Sequence, residues 1–89
     1  MRYQWDDSNL DHIADHDIED FEAEDALEDP RGVALGAYNK GNEKRYGIIG
    51  ATEAGRILAV FYTFRSGTVR VATARDAKPG EKRRYRKRK

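Results

Sequence analysis

The sequence predicts one α+β domain over residues 1–89, in the order strand, two helices, four strands, helix. Two N-terminal helices should lie on one face of an antiparallel sheet, with a basic helix at the C-terminus. Three observations lead there. Before residue 30 the apolar residues recur at helical spacing, and from residue 33 they follow the spacing of strands. Asp29-Pro30 separates the two regimes, because the residue before a proline is driven out of the helical region. Ile57-Leu58-Ala59-Val60-Phe61-Tyr62 is apolar on both faces, which marks a central strand.

Tyr3, Gln4 and Trp5 suit a short first strand that Asp6 and Asp7 terminate. Asp7 or Ser8 then suits the cap of a helix with Leu10, Ile13 and Ala14 along one side. Asp20 is placed to cap a second helix whose apolar side is Ala23, Ala26 and Leu27, with acids in the first turn suiting the helix dipole. Strands are expected over Val33 to Tyr38, Arg45 to Ala51, Arg56 to Arg65 and Thr68 to Arg75. Asn39–Lys44, a turn around Gly55 and Ser66-Gly67 separate them. Lys78-Pro79-Gly80-Glu81 opens the last helix, with Pro79 in the first turn, where its missing N–H costs nothing.

The Ser66-Gly67 turn permits a finer deduction. A two-residue turn pairs Arg65 with Thr68, Phe64 with Val69, Thr63 with Arg70 and Tyr62 with Val71. Val60, Tyr62, Phe64, Val69 and Val71 then share a face that should meet the helices. Thr63, Arg65, Thr68 and Arg70 share the other, beside Phe61 and Ala72. Strict alternation would place Arg75 opposite Arg70, and a bulge in either strand would break the deduction.

Composition narrows the chemistry. The absence of cysteine excludes a disulfide scaffold, a thiolate metal site and a cysteine nucleophile. No apolar run approaches a membrane span and no signal-peptide pattern is present, so a soluble, cytoplasmic protein is expected. Val, Ile, Leu and Phe together number 16, a lean core supply for which a partner would compensate. The overall charge of +1 conceals a division. Residues 1–30 hold 12 acids against Arg2 alone, a net of −11, and residues 31–89 carry +12. Such asymmetry suits one face for a polyanion and another that repels it, or two halves that attract each other.

Eight of the residues from Lys78 to Lys89 are Lys or Arg, which predicts salt-sensitive binding to nucleic acid, or else a solvated tail disordered from about residue 86. His12 and His16, four apart beside Asp11, Asp15 and Asp17, could hold a metal, although such histidines are more often simply exposed. The glutamate of the zinc-protease pattern does not follow His12. Glu81 and Tyr85, also four apart, could act as base and acid against a bound substrate. The plainer reading pairs Glu81 with Arg84 or Arg75 and sets Tyr85 against the core.

Several segments taken in order resemble a known family. Trp5-Asp6, Asp15-His16-Asp17-Ile18, Phe21-Glu22-Ala23-Glu24 and Asp29-Pro30 are similar to the amino half of the BrnT toxins. Arg45 to Gly50, Gly55 to Val60, Arg70 to Ala77 and Glu81 to Tyr85 are similar to the remainder, so the resemblance covers about residues 3 to 85. It implies a RelE-like fold and a ribonuclease toxin of a type II toxin–antitoxin system, neutralised by a BrnA-type antitoxin. Operator DNA would be bound only through the antitoxin complex, for which a heterotetramer is one assembly. The sequence departs from the family pattern at Asp17, where glycine is usual, at Thr73-Ala74-Arg75, where Ser-Ala-Arg is usual, and at Lys78-Pro79-Gly80.

The resemblance and the residues suggest one chemistry. A ribonuclease that needs no metal lets the RNA 2′-hydroxyl attack the adjacent phosphate, and requires cations, a base and an acid. Arg45, Arg65, Arg70 and Arg75 are the expected phosphate ligands, because rigid guanidinium forks suit phosphate. Glu81, Tyr85 and His16 are the expected proton-transfer residues; no cofactor or metal is expected. The alternatives are a non-catalytic nucleic-acid-binding module, an inactivated toxin acting through its antitoxin complex, and an interaction protein whose acidic helices engage a basic partner.

Overall fold

The computed structural model describes residues 1–87. Its elements are β1 (Tyr3–Gln4), α1 (Asp7–Ala14), α2 (Asp20–Glu28), β2 (Val33–Lys40), β3 (Glu43–Ala51), β4 (Ile57–Arg65), β5 (Thr68–Asp76) and α3 (Pro79–Lys87). The predicted element order is the observed one. The last helix continues through Lys87, past the point where a disordered tail was expected to begin, and the final two residues of that tail lie outside the described residues.

The strands form one sheet in the order β1-β5-β4-β3-β2. It is mixed rather than antiparallel, because β1 pairs parallel to β5, Tyr3 with Val69 and Gln4 with Arg70. This direction lets the chain leave β1 straight into α1 alongside β5, where the Asn9 side chain donates to the Gln4 and Val71 carbonyls at 3.0 and 3.1 Å.

The caps of both N-terminal helices lie earlier in the chain than expected. Asp6, rather than Asp7 or Ser8, caps α1 in a reciprocal box with Asn9, and Glu19, rather than Asp20, forms the corresponding box with Glu22. The β2–β3 connection is also shorter than Asn39–Lys44. Pairing continues through Asn39 with Lys44 and Lys40 with Glu43, leaving Gly41-Asn42 as the turn.

Ile13, Ile18, Ala23 and Ala26 of the α1–α2 segment pack on Leu58, Val60, Val71 and Ala74 of the sheet. The approach of α2 is so close that a Cβ on Gly50 would overlap the Ala26 carbonyl. The helices cover only part of this face. Phe64, expected beneath them, is 55% exposed and makes edge contacts with Tyr46 and Tyr62 beyond the helices.

Arg56 fastens the α1–α2 turn to the strands. Its guanidinium donates to both carboxylate oxygens of Asp76, to Glu22 and to the carbonyls of His16 and Asp17. Asp29, at the end of α2, joins three elements in the same way. Its carboxylate accepts from the Arg31 and Ala51 amides and from the Tyr85 hydroxyl of α3. No helix among the described residues is long and apolar enough to cross a membrane.

Candidate functional site

The sheet face opposite the α1–α2 core is organised in three rows across the strands. Tyr38 pairs with Arg45, and Thr63 with Arg70. Alternation puts these four side chains on the same face as the second row, Gly36, Gly47, Phe61 and Thr73. The third row is Val33, Ile49, Ala59 and Arg75. One end of the face is therefore cationic, an aromatic ring occupies the middle, and Arg75 stands at the far end.

Arg75 reaches this face through a bulge. The hairpin register runs as predicted from Arg65–Thr68 to Tyr62–Val71, but Phe61 then pairs with Thr73. Ala72 is the additional residue on β5, and it shifts the alternation by one. Arg75, expected opposite Arg70, consequently lies on the same face. Its guanidinium carbon is 5.4 Å from the centroid of the Phe61 ring. The Phe61 ring meets Tyr38 edge-on, with centroids 6.4 Å apart. Gly47 leaves the space Phe61 needs, since a Cβ there would come within 2.9 Å of the ring.

Arg45, Arg65 and Arg70 line a cavity of about 170 Å³ with Thr63, Glu43 and, from α1, Ser8, Asn9 and His12. Three guanidinium groups are thus met by two carboxylates, Glu43 within the lining and Asp6 behind Arg70. Glu43 accepts from Arg65 at 3.0 and 3.2 Å, and Arg65 beside it holds the Glu43 carboxyl below its usual range. Glu43 reaches Arg45 only at 3.6 Å, leaving the buried Arg45 Nε without a hydrogen-bond partner. Arg70 is fixed by a two-pronged contact with Asp6 at 2.8 and 3.3 Å. That hydrogen bonding, with the Asn9 amide, lowers the Asp6 carboxyl below its usual range.

Glu81 takes both terminal nitrogens of Arg75, at 2.7 and 3.0 Å, and also accepts from the Lys78 amide at the start of α3. Hydrogen bonding from Arg75 holds the Glu81 carboxyl down at about 2 despite partial burial, so it is ionised at neutral pH. Tyr85, one turn on, donates to Asp29 at 2.5 Å. His16 lies apart from the arginine cavity. Its carbonyl accepts from Arg56, and its ring centroid is 6.2 Å from that of His12.

Of the seven expected site residues, the fold brings Arg45, Arg65 and Arg70 to one cavity and Arg75 with Glu81 to the other end of the same face. Tyr85 is bound to Asp29, and His16 lies outside the cavity lining with its ring next to that of His12. His12, considered only as a metal ligand, lines the cavity, and Ser8, Asn9, Glu43, Tyr38 and Asp6 join the site without having been expected there. For His12 a signal was present, since it follows Ser8 by four residues and Asn9 by three, the spacing that sets three side chains on one side of a helix.

No curated protein matches the chain. Residues 5–81 match the family model described as ribonuclease toxin, BrnT, of type II toxin–antitoxin systems. That match spans most of the 89 residues, and the chain belongs to the BrnT family of ribonuclease toxins.

Proposed function

We propose that the chain is an endoribonuclease that cleaves RNA without a metal ion, by attack of a 2′-hydroxyl on the adjacent phosphate. In this reading its release arrests growth and a BrnA-type antitoxin holds it in check. The observation that carries the reading is the shared face of Arg45, Arg65, Arg70 and Arg75, completed by the Ala72 bulge. Guanidinium groups held in place by Glu43, Asp6 and Glu81 are preorganised to stabilise the charge that builds on phosphorus. Phe61 and the half-exposed Tyr38 offer rings on which a base stacks between the two cationic ends. RNA tracks along this face, and the acidic outer surface of α1 and α2 repels it.

Glu81 serves this reaction by orienting Arg75. A carboxylate with a pKa of about 2 is a weak base at neutral pH, because proton-transfer efficiency follows basicity. Tyr85 supports α3 through Asp29, and His16 is not among the residues that line the cavity.

The test is inducible expression in bacteria of the wild type, Arg70→Ala and Arg75→Ala, with growth and total RNA integrity followed together. Arrest with RNA loss in the wild type alone is expected. Normal growth and intact RNA with soluble, folded wild type would overturn the reading in favour of a binding module or an inactivated toxin. Arrest by both variants would remove the arginine face from the reaction.

A further inference from the structure

The arginine cavity has one wall that the sheet does not supply. Ser8, Asn9 and His12 enter it from α1, and His12 is the imidazole among its lining residues. The position of this wall is set with unusual redundancy for so short a helix. Asp6 caps α1 by accepting from the Asn9 amide at 3.2 Å, and the same carboxylate clamps Arg70. The Asn9 side-chain oxygen accepts in turn from the Asp6 amide at 2.8 Å, and its amide nitrogen donates to the Val71 carbonyl of β5. One carboxylate therefore registers the helix that carries His12 against the strand that carries Arg70. The Arg45 Nε is buried 3.6 Å from Glu43, so this guanidinium is held by an ion pair at its inner edge.

We infer that His12 is the proton-transfer residue of the RNA cleavage proposed above, acting on a phosphodiester held by Arg45, Arg65 and Arg70. The inference rests on that reading. The His12 imidazole takes the 2′-hydroxyl proton as the bond from the 2′-oxygen to phosphorus forms. The bond from phosphorus to the 5′-oxygen breaks, and the departing oxygen takes a proton from water. The imidazolium then returns its proton to solvent, leaving a 2′,3′-cyclic phosphate and a 5′-hydroxyl. The charged groups around the cavity are Glu43 and Arg45 from β3, Arg65 from β4 and Arg70 from β5, with Asp6 bound to Arg70, Asp11 beside His12 on α1 and the His16 ring 6.2 Å from that of His12.

The experiment uses the purified chain and a fluorescent single-stranded RNA oligonucleotide, with an all-2′-deoxy version of it as a non-cleavable ligand for binding. Relative to wild type, His12→Asn and His12→Ala should lose at least about 100-fold in cleavage rate, the usual contribution of general acid–base catalysis. Binding of the deoxy oligonucleotide should change less than about threefold. The acid limb of the wild-type pH–rate profile should vanish in His12→Asn, and added imidazole should restore part of the rate to His12→Ala. His12 is exposed, and thermal unfolding of each variant should match the wild type. Wild-type rate and pH profile in both variants would overturn the assignment, as would loss of the limb in His16→Asn instead. A folded wild type that leaves the RNA intact would overturn the ribonuclease reading itself, a result distinct from failure of His12 alone.

Discussion

Asp17 shows how a single residue carries a backbone demand. Its φ is +58°, in the left-handed region that costs an L-residue roughly 1 kcal/mol and costs glycine little. The BrnT resemblance flagged this position because glycine is usual there, and the structure supplies the reason. The chain must reverse between α1 and α2 while the Asp17 carbonyl turns to Arg56 at 2.6 Å. Aspartate is among the residues that tolerate this conformation, whereas a β-branched side chain does not. Asp17→Gly should therefore be at least as stable as wild type, and Asp17→Val should lose about 1–2 kcal/mol by chemical denaturation.

Glu81 makes a prediction in pH at the same scale. Its carboxyl sits at about 2 in the fold, held there first by hydrogen bonding from Arg75, against an ordinary value of 4.5. A depressed carboxyl contributes stability that is complete above its unfolded value and is lost as pH falls through the folded one. Between about pH 4.5 and pH 2 the wild type should lose stability that Glu81→Gln has already lost, so the two denaturation curves should converge on acidification. A constant gap between them down to pH 2 would show that the Arg75–Glu81 pair does not stabilise the fold.

Among the elements, α2 and β5 mark what the sequence discloses and what it conceals. The β4–β5 register was legible because Ser66-Gly67 is a two-residue turn with both residues at positive φ, 52° and 75°, which fixes the pairs beside it. The bulge four residues further along β5 was not legible. Val71-Ala72-Thr73-Ala74 contains no glycine or charge to announce an additional residue, and only the demands of the folded sheet place it. The cap of α1 was missed for a related reason. Asn9 fills the reciprocal position where a glutamate or glutamine is the familiar signal. The parallel seat of β1 was also hidden, because two paired residues carry almost no directional pattern.

Gly50 gives the element scale its test. Here the glycine is required by proximity, since a Cβ would collide with the Ala26 carbonyl, which is backbone and has no rotamer to change. Gly50→Ala should cost about 1–3 kcal/mol by displacing α2 from β3, read as a lowered denaturation midpoint with an unchanged slope. A neutral effect would mean that α2 sits further from the sheet than described.

Over the whole molecule, the division of charge is reconciled by the fold. Asp6 and Glu22 from the acidic half are paired with Arg70 and Arg56 from the basic half, so mutual attraction of the halves accounts for part of the pattern. Composition and the last twelve residues pointed to a polyanion. They could not show that three arginines converge on a cavity beside His12, because that convergence joins β3, β4, β5 and α1 across up to 64 positions of sequence. A face that neutralises phosphates should bind single-stranded nucleic acid with a log-affinity that falls linearly in log salt, by about 0.7 for each phosphate neutralised. Arg70→Ala, measured with a 2′-deoxy oligonucleotide at several salt concentrations, should make that slope shallower by about 0.7. An unchanged slope would remove Arg70 from the binding face.

The most direct measurement of the central claim exposes the purified chain, in the presence of a metal chelator, to one RNA oligonucleotide and to its all-2′-deoxy counterpart. The arginine face with its proton-transfer partner should cut the RNA to a 2′,3′-cyclic phosphate and a 5′-hydroxyl, leave the deoxy strand bound and intact, and be crippled by Arg70→Ala. Cleavage of the deoxy strand, 5′-phosphate ends, or intact RNA with a folded wild type would contradict it.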